Sequence, residues 1–388
     1  MKVVLLISAI SSDNTGMGGH YYSVRSIAKA LRLKGVEAHI LVLGDMFPKA
    51  YDDIRNDVSF VKYKPFRYFS YFSRISECLK DIGPDVIHSF DNKSFFVARL
   101  MSLLHGYRLV LTKPGGPNPT TFFPYCKDLI LFSSENETYF RGQKKFHNSR
   151  ICHIPNRVEE FDSDWTRIAK LKADIPSDHR VILRIGRIGE AYAAVIRQTG
   201  NLVRYLKNNG IAVTGLVVGV AQDETLLSDL KVEYSDELII KTDDEFTKNA
   251  AELIEVSDAV VGTGRSLMEA ACKSRVLMTT ISGSEYPVLV GEDNFLDLMA
   301  TNFSPRNNLV GYDEEKNLSA IIDLFSNETN FHEAQLYSEE VSSEYFDLSS
   351  AMKRYMAVYS NAEAESVRNI HDVLLNVITF LRYYVTIK

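Results

Sequence analysis

A few residues stand out by type and spacing as able to do chemistry. The apolar run 258–261 leads into Gly262-Thr263-Gly264-Arg265-Ser266 and then into a helix-forming stretch with Glu269 one turn inside it. Such a loop offers backbone N–H groups and a helix dipole to a phosphate. Arg265 adds a fixed charge able to pair two phosphate oxygens, and Glu269 can accept hydrogen bonds from a ribose diol. The plainer alternative makes Ser266 an N-cap and Glu269 a solvated first-turn acid. Arg184 and Arg187 fall at the end of the strand-like run 181–188. The carboxyl end of a parallel strand faces the ligand crevice of a doubly wound sheet, and a guanidinium there neutralises a diphosphate leaving group. An inter-domain salt bridge is the alternative. Near the start, Gly16-Met17-Gly18-Gly19 open into a helical pattern, so Gly18 and Gly19 let a ligand approach the backbone. This is not the dinucleotide fingerprint, because Tyr21 stands where its third glycine belongs.

Other residues carry weaker signals. His88 ends a strand and is placed to touch an acceptor, and His20 starts a helix beside the glycine loop; each also reads as a packed or locally bonded histidine. Asp243-Asp244 reads as a helix start rather than a metal clamp. The segment 64–74 interleaves Lys64, Arg67 and Arg74 with Phe66, Tyr68, Phe69, Tyr71 and Phe72. Cations and aromatic rings together suit an anionic bilayer surface or an acceptor. The tail 380–388 has similar character, and a rigid acceptor loop and a docked helix are the respective alternatives.

The elements that must position these residues alternate. Apolar strand-like runs at 2–7, 38–43, 58–61, 85–88, 108–111, 129–132 and 151–154 are interspersed with helical patterns at about 20–34 and 75–80. After a charged stretch at 155–176, read as linker plus the start of the next unit, the rhythm restarts. Strands fall at 181–185, 212–218, 237–240, 259–261 and 276–279, and helices at 193–207, 245–256 and 266–273. Strand–helix alternation predicts right-handed βαβ units and α/β doubly wound sheets. Two such halves imply two Rossmann-like domains facing across a cleft, at 1–157 and 158–350, with helices at 351–388 returning to the first.

Composition sets the bounds. The chain has 388 residues, 45% of them hydrophobic and 24% charged, which is globular usage at about two-domain size. A formal charge of −6 removes a whole-chain basic footprint for nucleic acid. Cys78, Cys126, Cys152 and Cys272 stand singly, without metal-ligand spacing. No run of about 18 apolar residues spans a membrane, and the first apolar run is short for a signal peptide. A cytoplasmic protein with peripheral contact at the inner face of the plasma membrane is expected.

At this point the chain resembles the family-4 retaining glycosyltransferases of GT-B fold. The resemblance rests on the loop 16–19 with its helix, Gly83-Pro84-Asp85-Val86-Ile87-His88, Ile154-Pro155-Asn156-Arg157-Val158, Ile185-Gly186-Arg187-Ile188, Leu216-Val217-Val218-Gly219, and 262–271 followed by Val276. It implies a nucleoside-diphosphate sugar, UDP-sugar in preference, held by the C-terminal domain through Arg187, Thr263, Gly264, Ser266 and Glu269, with Gly18 and Gly19 near the donor. It implies a glycan or lipid-linked acceptor on the N-terminal domain, a role in cell-surface polysaccharide synthesis, and no cofactor or metal, since the leaving diphosphate itself can take the acceptor proton. Three positions depart from the family pattern: Val261 replaces a first Glu, Ala193 replaces a Lys, and Lys113 replaces a His. Arg265, Lys113 or Arg197 are then expected to supply the lost charge. Two rivals remain, a sugar-nucleotide 2-epimerase of related fold and a non-catalytic sugar-nucleotide-binding subunit of a synthase complex.

Overall fold

The run Lys2–Ala9 is apolar without alternation, and it forms a strand covered on both sides. Val3, Leu5 and Ile7 enter one core cluster, while Val4 and Leu6 enter the other. That is the requirement of a central strand in a parallel sheet with helices on both faces. The computed structural model describes all residues except 11–17, 65–66, 120–122, 368–369 and 381–388; at 370, 371, 373, 379 and 380 only the backbone is described.

In chain order the elements are β1 (Lys2–Ala9), α1 (Gly19–Leu33), β2 (Glu37–Gly44), β3 (Val58–Lys62), α2 (Tyr68–Ile82), β4 (Val86–Ser89), α3 (Asn92–His105), β5 (Arg108–Lys113), β6 (Asp128–Leu131), α4 (Ser134–Gly142) and β7 (Arg150–His153). They continue with α5 (Trp165–Lys172), β8 (Arg180–Ile185), α6 (Glu190–Asn208), β9 (Val213–Val218), α7 (Glu224–Glu233), β10 (Leu238–Lys241), α8 (Asp244–Thr247), β11 (Ala259–Gly262), α9 (Arg265–Ala271), β12 (Val276–Thr279) and β13 (Val288–Leu289). The helices α10 (Phe295–Ala300), α11 (Glu314–Ser326), α12 (Glu328–Val341), α13 (Leu348–Asn361) and α14 (Ile370–Phe380) follow.

The chain divides into two units, Met1–Glu159 with Leu348–Lys388, and Glu160–Asp347. The first holds a seven-stranded sheet in the order β3-β2-β1-β4-β5-β6-β7, parallel throughout. The second holds six strands in the order β10-β9-β8-β11-β12-β13, with only β13 antiparallel. Both are Rossmann-like, and in both the strand order reverses beside the first strand, between β1 and β4 and between β8 and β11. Ligands of such sheets bind at that switch point, outside the carboxyl ends.

Local signals explain the element ends. Asp91 caps α3 by accepting from Ser94 N at 2.7 Å, and it also accepts from Ser8 N and Ser8 Oγ, each at 2.8 Å, tying the end of β1 to the start of α3. Helix α2 buries Tyr71, Ile75 and Leu79 at helical spacing. In the first unit α13 inserts Leu348, Ala351, Met352, Tyr355 and Tyr359 into the core. Helix α14 is held by a buried pair, Arg99 Nη1 to Asp372 Oδ1 at 2.9 Å and Nη2 to Oδ2 at 2.5 Å, with Glu365 at 3.6 Å from Arg99 Nε.

Three segments differ from expectation. The stretch 155–176 contains a capped helix, α5, with Asp164 accepting from Arg167 N at 3.0 Å. The helix expected at 245–256 is broken. Asn249 adopts φ 49, ending α8 and starting a 3₁₀ turn at Ala250–Val256. The aromatic stretch at 68–74 is helical, as the first half of α2, which extends the helix expected at 75–80 toward the N-terminus and leaves the loop alternative unsupported there.

Candidate functional site

In the second unit, β8 and β11 end side by side, Ala259 opposite Ile182 and Val260 opposite Leu183. Their exits, Gly186-Arg187 and Gly262-Thr263-Gly264, form the rim of the switch point. Gly264 adopts φ 53 and ψ −123, a conformation that L side chains avoid. Ser266 Oγ closes the turn, accepting from Thr263 N and donating to Thr263 O, both at 3.1 Å. Thr279 Oγ1 braces the loop from below by donating to Gly262 O at 2.8 Å. Asn302 and Phe303, both with positive φ, run alongside, and Asn302 Nδ2 lies 3.2 Å from where a Cβ on Gly264 would sit. Backbone strain concentrates at such sites when the surroundings over-determine it.

Arg265 and Glu269 are paired with each other. Arg265 Nε donates to Glu269 Oε1 at 2.6 Å, and both side chains are mostly buried. Burial raises the Glu269 carboxyl above the usual range, and the Arg265 charge opposes that shift. Neither residue is therefore the solvated first-turn group of the plainer alternative. Arg187 is half-buried; its guanidinium donates to the Tyr192 hydroxyl and lies over the Tyr192 ring, 4.8 Å from the centroid. Arg184 is fully buried and donates to Ile185 O at 2.7 Å and to Thr263 Oγ1 at 3.3 Å. The structure thus gathers Arg184, Arg187, Gly262, Thr263, Gly264, Arg265, Ser266 and Glu269 at one switch point. Ala193 and Val261 are buried apolar residues of α6 and β11. Arg197 pairs with Glu233 of α7 at 3.2 Å, on the helical layer, so it does not supply charge to this rim.

In the first unit, Gly18 is the extended N-cap of α1 and Gly19 its first residue; Gly16 and Met17 lie outside the described residues. The His20 ring lies against Gly18, where a Cβ would meet it at 2.7 Å, and packs on Tyr21 with centroids 4.1 Å apart. Two expectations are corrected here. His88 is fully buried, with Nδ1 2.8 Å from the Tyr359 hydroxyl and Nε2 2.6 Å from Thr112 Oγ1, so it does not reach an acceptor. Lys113 is tied to its own loop. Its ammonium donates to Gly115 O, to Gly116 O at 3.3 Å and to Asn136 Oδ1 at 3.0 Å, where it shapes the turn after β5 instead of offering charge to a ligand.

Burial holds the His88 imidazole down to about 3 from its ordinary 6.5. Between those values only the unfolded chain takes up the proton. The neutral ring therefore stabilises the fold above the unfolded pKa, and that contribution drains away as pH falls toward the folded one. His88→Gln is expected to flatten the acid-side decline of stability relative to wild type, by an amount on the order of a few kcal/mol. Urea unfolding across this window checks it, and identical slopes in the two proteins would refute it.

The basic–aromatic segment divides between core and surface. Tyr71 is buried, Tyr68 and Phe72 pack against the core, and Phe66 lies outside the described residues. Lys64, Arg67 and Arg74 are exposed, and Phe69 is 96% exposed beside them. Among the described residues, no helix is long and apolar enough to cross a membrane, and no group of three His, Cys, Asp or Glu side chains is placed to hold a metal.

Sequence reasoning missed Tyr192, Thr279, Asn302 and Asp91. Only Asp91, an acid directly before a helical run, carried a local signal.

Comparison with known proteins agrees with this architecture. Residues 17–117 match the family model for Glycosyltransferase Family 4. Among curated proteins none matches this sequence. A glycosyltransferase from Rickettsia africae superposes with a TM-score of 0.66 at 14% identity, covering 92% of this chain and 98% of that one. Anabaena HepE in complex with UDP gives 0.61 at 13% identity, covering 93% and 100%. Sucrose-phosphate synthase from Thermosynechococcus elongatus gives 0.60 at 14%, covering 93% and 98%. Its two Rossmann-like units and these superpositions give the chain the GT-B fold, and residues 17–117 of the first unit are similar to Glycosyltransferase Family 4.

Proposed function

We propose that this protein transfers a sugar from a nucleoside-diphosphate sugar, UDP-sugar in preference, to a glycan or lipid-linked acceptor with retention of configuration. The observation that carries the reading is the second unit's switch point, where Arg187 and the Gly262–Ser266 loop stand beside the Arg265–Glu269 pair. The likeness to Anabaena HepE, whose structures hold UDP or UDP-glucose, supports the choice of donor. In this reading the loop and Arg187 bind the diphosphate. Glu269, oriented by Arg265 through Oε1, accepts from the ribose diol. During transfer the bond from the anomeric carbon to the diphosphate oxygen breaks, and a bond to the acceptor oxygen forms on the same face. The acceptor proton passes to the departing phosphate oxygen. The protein supplies orientation and offsets the charge that develops on the leaving group.

Titration calorimetry over UDP- and GDP-sugars, followed by transfer assays on glycan and lipid-linked acceptors, tests this. A UDP-sugar is expected to bind and to bind more weakly to Glu269→Ala. Failure of every donor to bind sinks the reading, and binding without turnover on any acceptor favours the non-catalytic rival. The exposed Lys64, Arg67, Phe69 and Arg74 support peripheral contact with an anionic bilayer. Phe69→Ser with Arg67→Glu is expected to reduce flotation with phosphatidylglycerol vesicles several-fold; equal flotation of wild type and variant would remove the membrane assignment.

A further inference from the structure

Arg99 and Arg184 head the largest fully buried side chains of the described chain, each at 1% exposure. A buried charge is costly unless an opposite charge and hydrogen bonds offset it. Arg99 has both, in Asp372 and Glu365. Among the described residues Arg184 has no carboxylate partner. Among the described residues the Tyr192 phenol is the ionisable group acting on it, and burial draws its guanidinium down to about 10, which leaves it charged at neutral pH. Its donors reach Ile185 O at 2.7 Å, Thr263 Oγ1 at 3.3 Å and, at the limit, Val261 O at 3.5 Å; Nε finds no acceptor.

The guanidinium lies directly under the rim of the switch point. A Cβ on Gly186 would fall 2.6 Å from Arg184 Nη2, so the glycine keeps the backbone seated on the cation. The Thr263 hydroxyl links it to the loop before α9. Around the same rim stand Arg187, with Tyr192, and the Arg265–Glu269 pair; exposed Glu190 begins α6. Of these three guanidiniums Arg265 is paired with Glu269, and among the described residues the deepest, Arg184, has no acid of its own.

We propose that Arg184 is a positioning residue whose counter-charge is the ligand: a phosphate-bearing group seated over Gly186 and Thr263 completes the buried cation electrostatically. Arg184 acts through the Thr263 hydroxyl and through its field across Gly186, not by contact. The proposal rests on the nucleoside-diphosphate reading and adds where the diphosphate affinity originates. Without ligand the second unit carries an uncompensated charge. An apolar side chain of similar length at this position should therefore leave the free protein as stable or more so, while removing the attraction.

The test compares the full-length wild type with Arg184→Met and Arg184→Lys, by thermal unfolding and by calorimetry at fixed ionic strength, using UDP, inorganic pyrophosphate and uridine. Arg184→Met is expected to unfold, without ligand, no lower than wild type. Its binding of UDP and pyrophosphate should weaken by roughly tenfold to a hundredfold, with uridine binding unchanged and Arg184→Lys recovering most of the loss. Should Arg184→Met fail to fold, Arg184→Lys with Thr263→Val carries the test. Diphosphate binding to Thr263→Val at wild-type strength would then overturn the coupling. UDP and pyrophosphate binding that ignores Arg184 overturns the inference and leaves the proposed function standing. Pyrophosphate binding that depends on Arg184, with no nucleotide bound, keeps the inference and removes that function. No binding of any phosphate probe to wild type removes both.

Discussion

Arg187→Ala is expected to lower turnover roughly 10²–10³-fold at saturating donor, the scale on which one preorganised charge stabiliser acts. Arg187 is half-buried, and its hydrogen bond and ring contact with Tyr192 hold it at the carboxyl end of β8, with no carboxylate paired to it among the described residues. The side chain is not part of the core, so the unfolding temperature should hardly move. In the proposed reaction the charge matters most as the leaving diphosphate develops, so the loss should fall on kcat more than on KM. Arg187→Lys keeps the charge but loses the planar fork and should recover only part of the rate. Rapid-quench turnover of the three proteins on one UDP-sugar decides the matter, and an alanine variant at wild-type rate ends the assignment.

Gly219→Ala should produce the largest loss of stability of any single methyl addition in the second unit. A Cβ at this position would sit 1.7 Å from Gly186 O. The clash is between backbones, because Gly186 N donates to Val218 O at 3.1 Å and Gly219 N donates to Lys241 O at 3.0 Å, locking three strand ends together. Relief requires separating β8 from β9, at roughly 3 kcal/mol or more. Gly44 repeats the geometry in the first unit, 1.7 Å from Ala9 O, and Gly44→Ala should cost a similar amount. Gly291, with nothing within 4 Å, is the control and should change stability by less than about 0.5 kcal/mol when made alanine. Denaturant unfolding of the three variants measures this, and a Gly219→Ala protein as stable as the control would show that the strand ends yield freely.

The strands were largely legible because parallel sheets bury both faces, so β1, β4, β8, β9, β11 and β12 read as plain apolar runs. The Gly262–Ser266 loop with its helix was legible too, since strand, glycines, Arg265 and Glu269 are neighbours in the chain. The i,i+4 spacing of the last two also contains their pairing. What escaped was fixed by partners distant in sequence. His88 looked available at a strand end, but Tyr359, 271 positions away, covers it. Lys113 looked like a spare cation, but Asn136 and two glycine carbonyls claim it. The break at Asn249 depends on a left-handed backbone angle that no periodicity announces. Arg184 was visible as a charge inside an apolar run; that no described acid pairs with it was not.

Helix α13 completes the first unit's core from the far end of the chain, through Met352, Tyr355 and Tyr359. The second unit, by contrast, is one uninterrupted stretch. Domains generally fold during synthesis in the order they leave the ribosome, and here that order is inverted. The residues translated first must wait, with a hydrophobic seam uncovered, until the whole later half has emerged and can finish folding. A released chain ending before residue 348 would therefore carry a complete second unit tethered to an unfinished first one, the species that chaperones should hold.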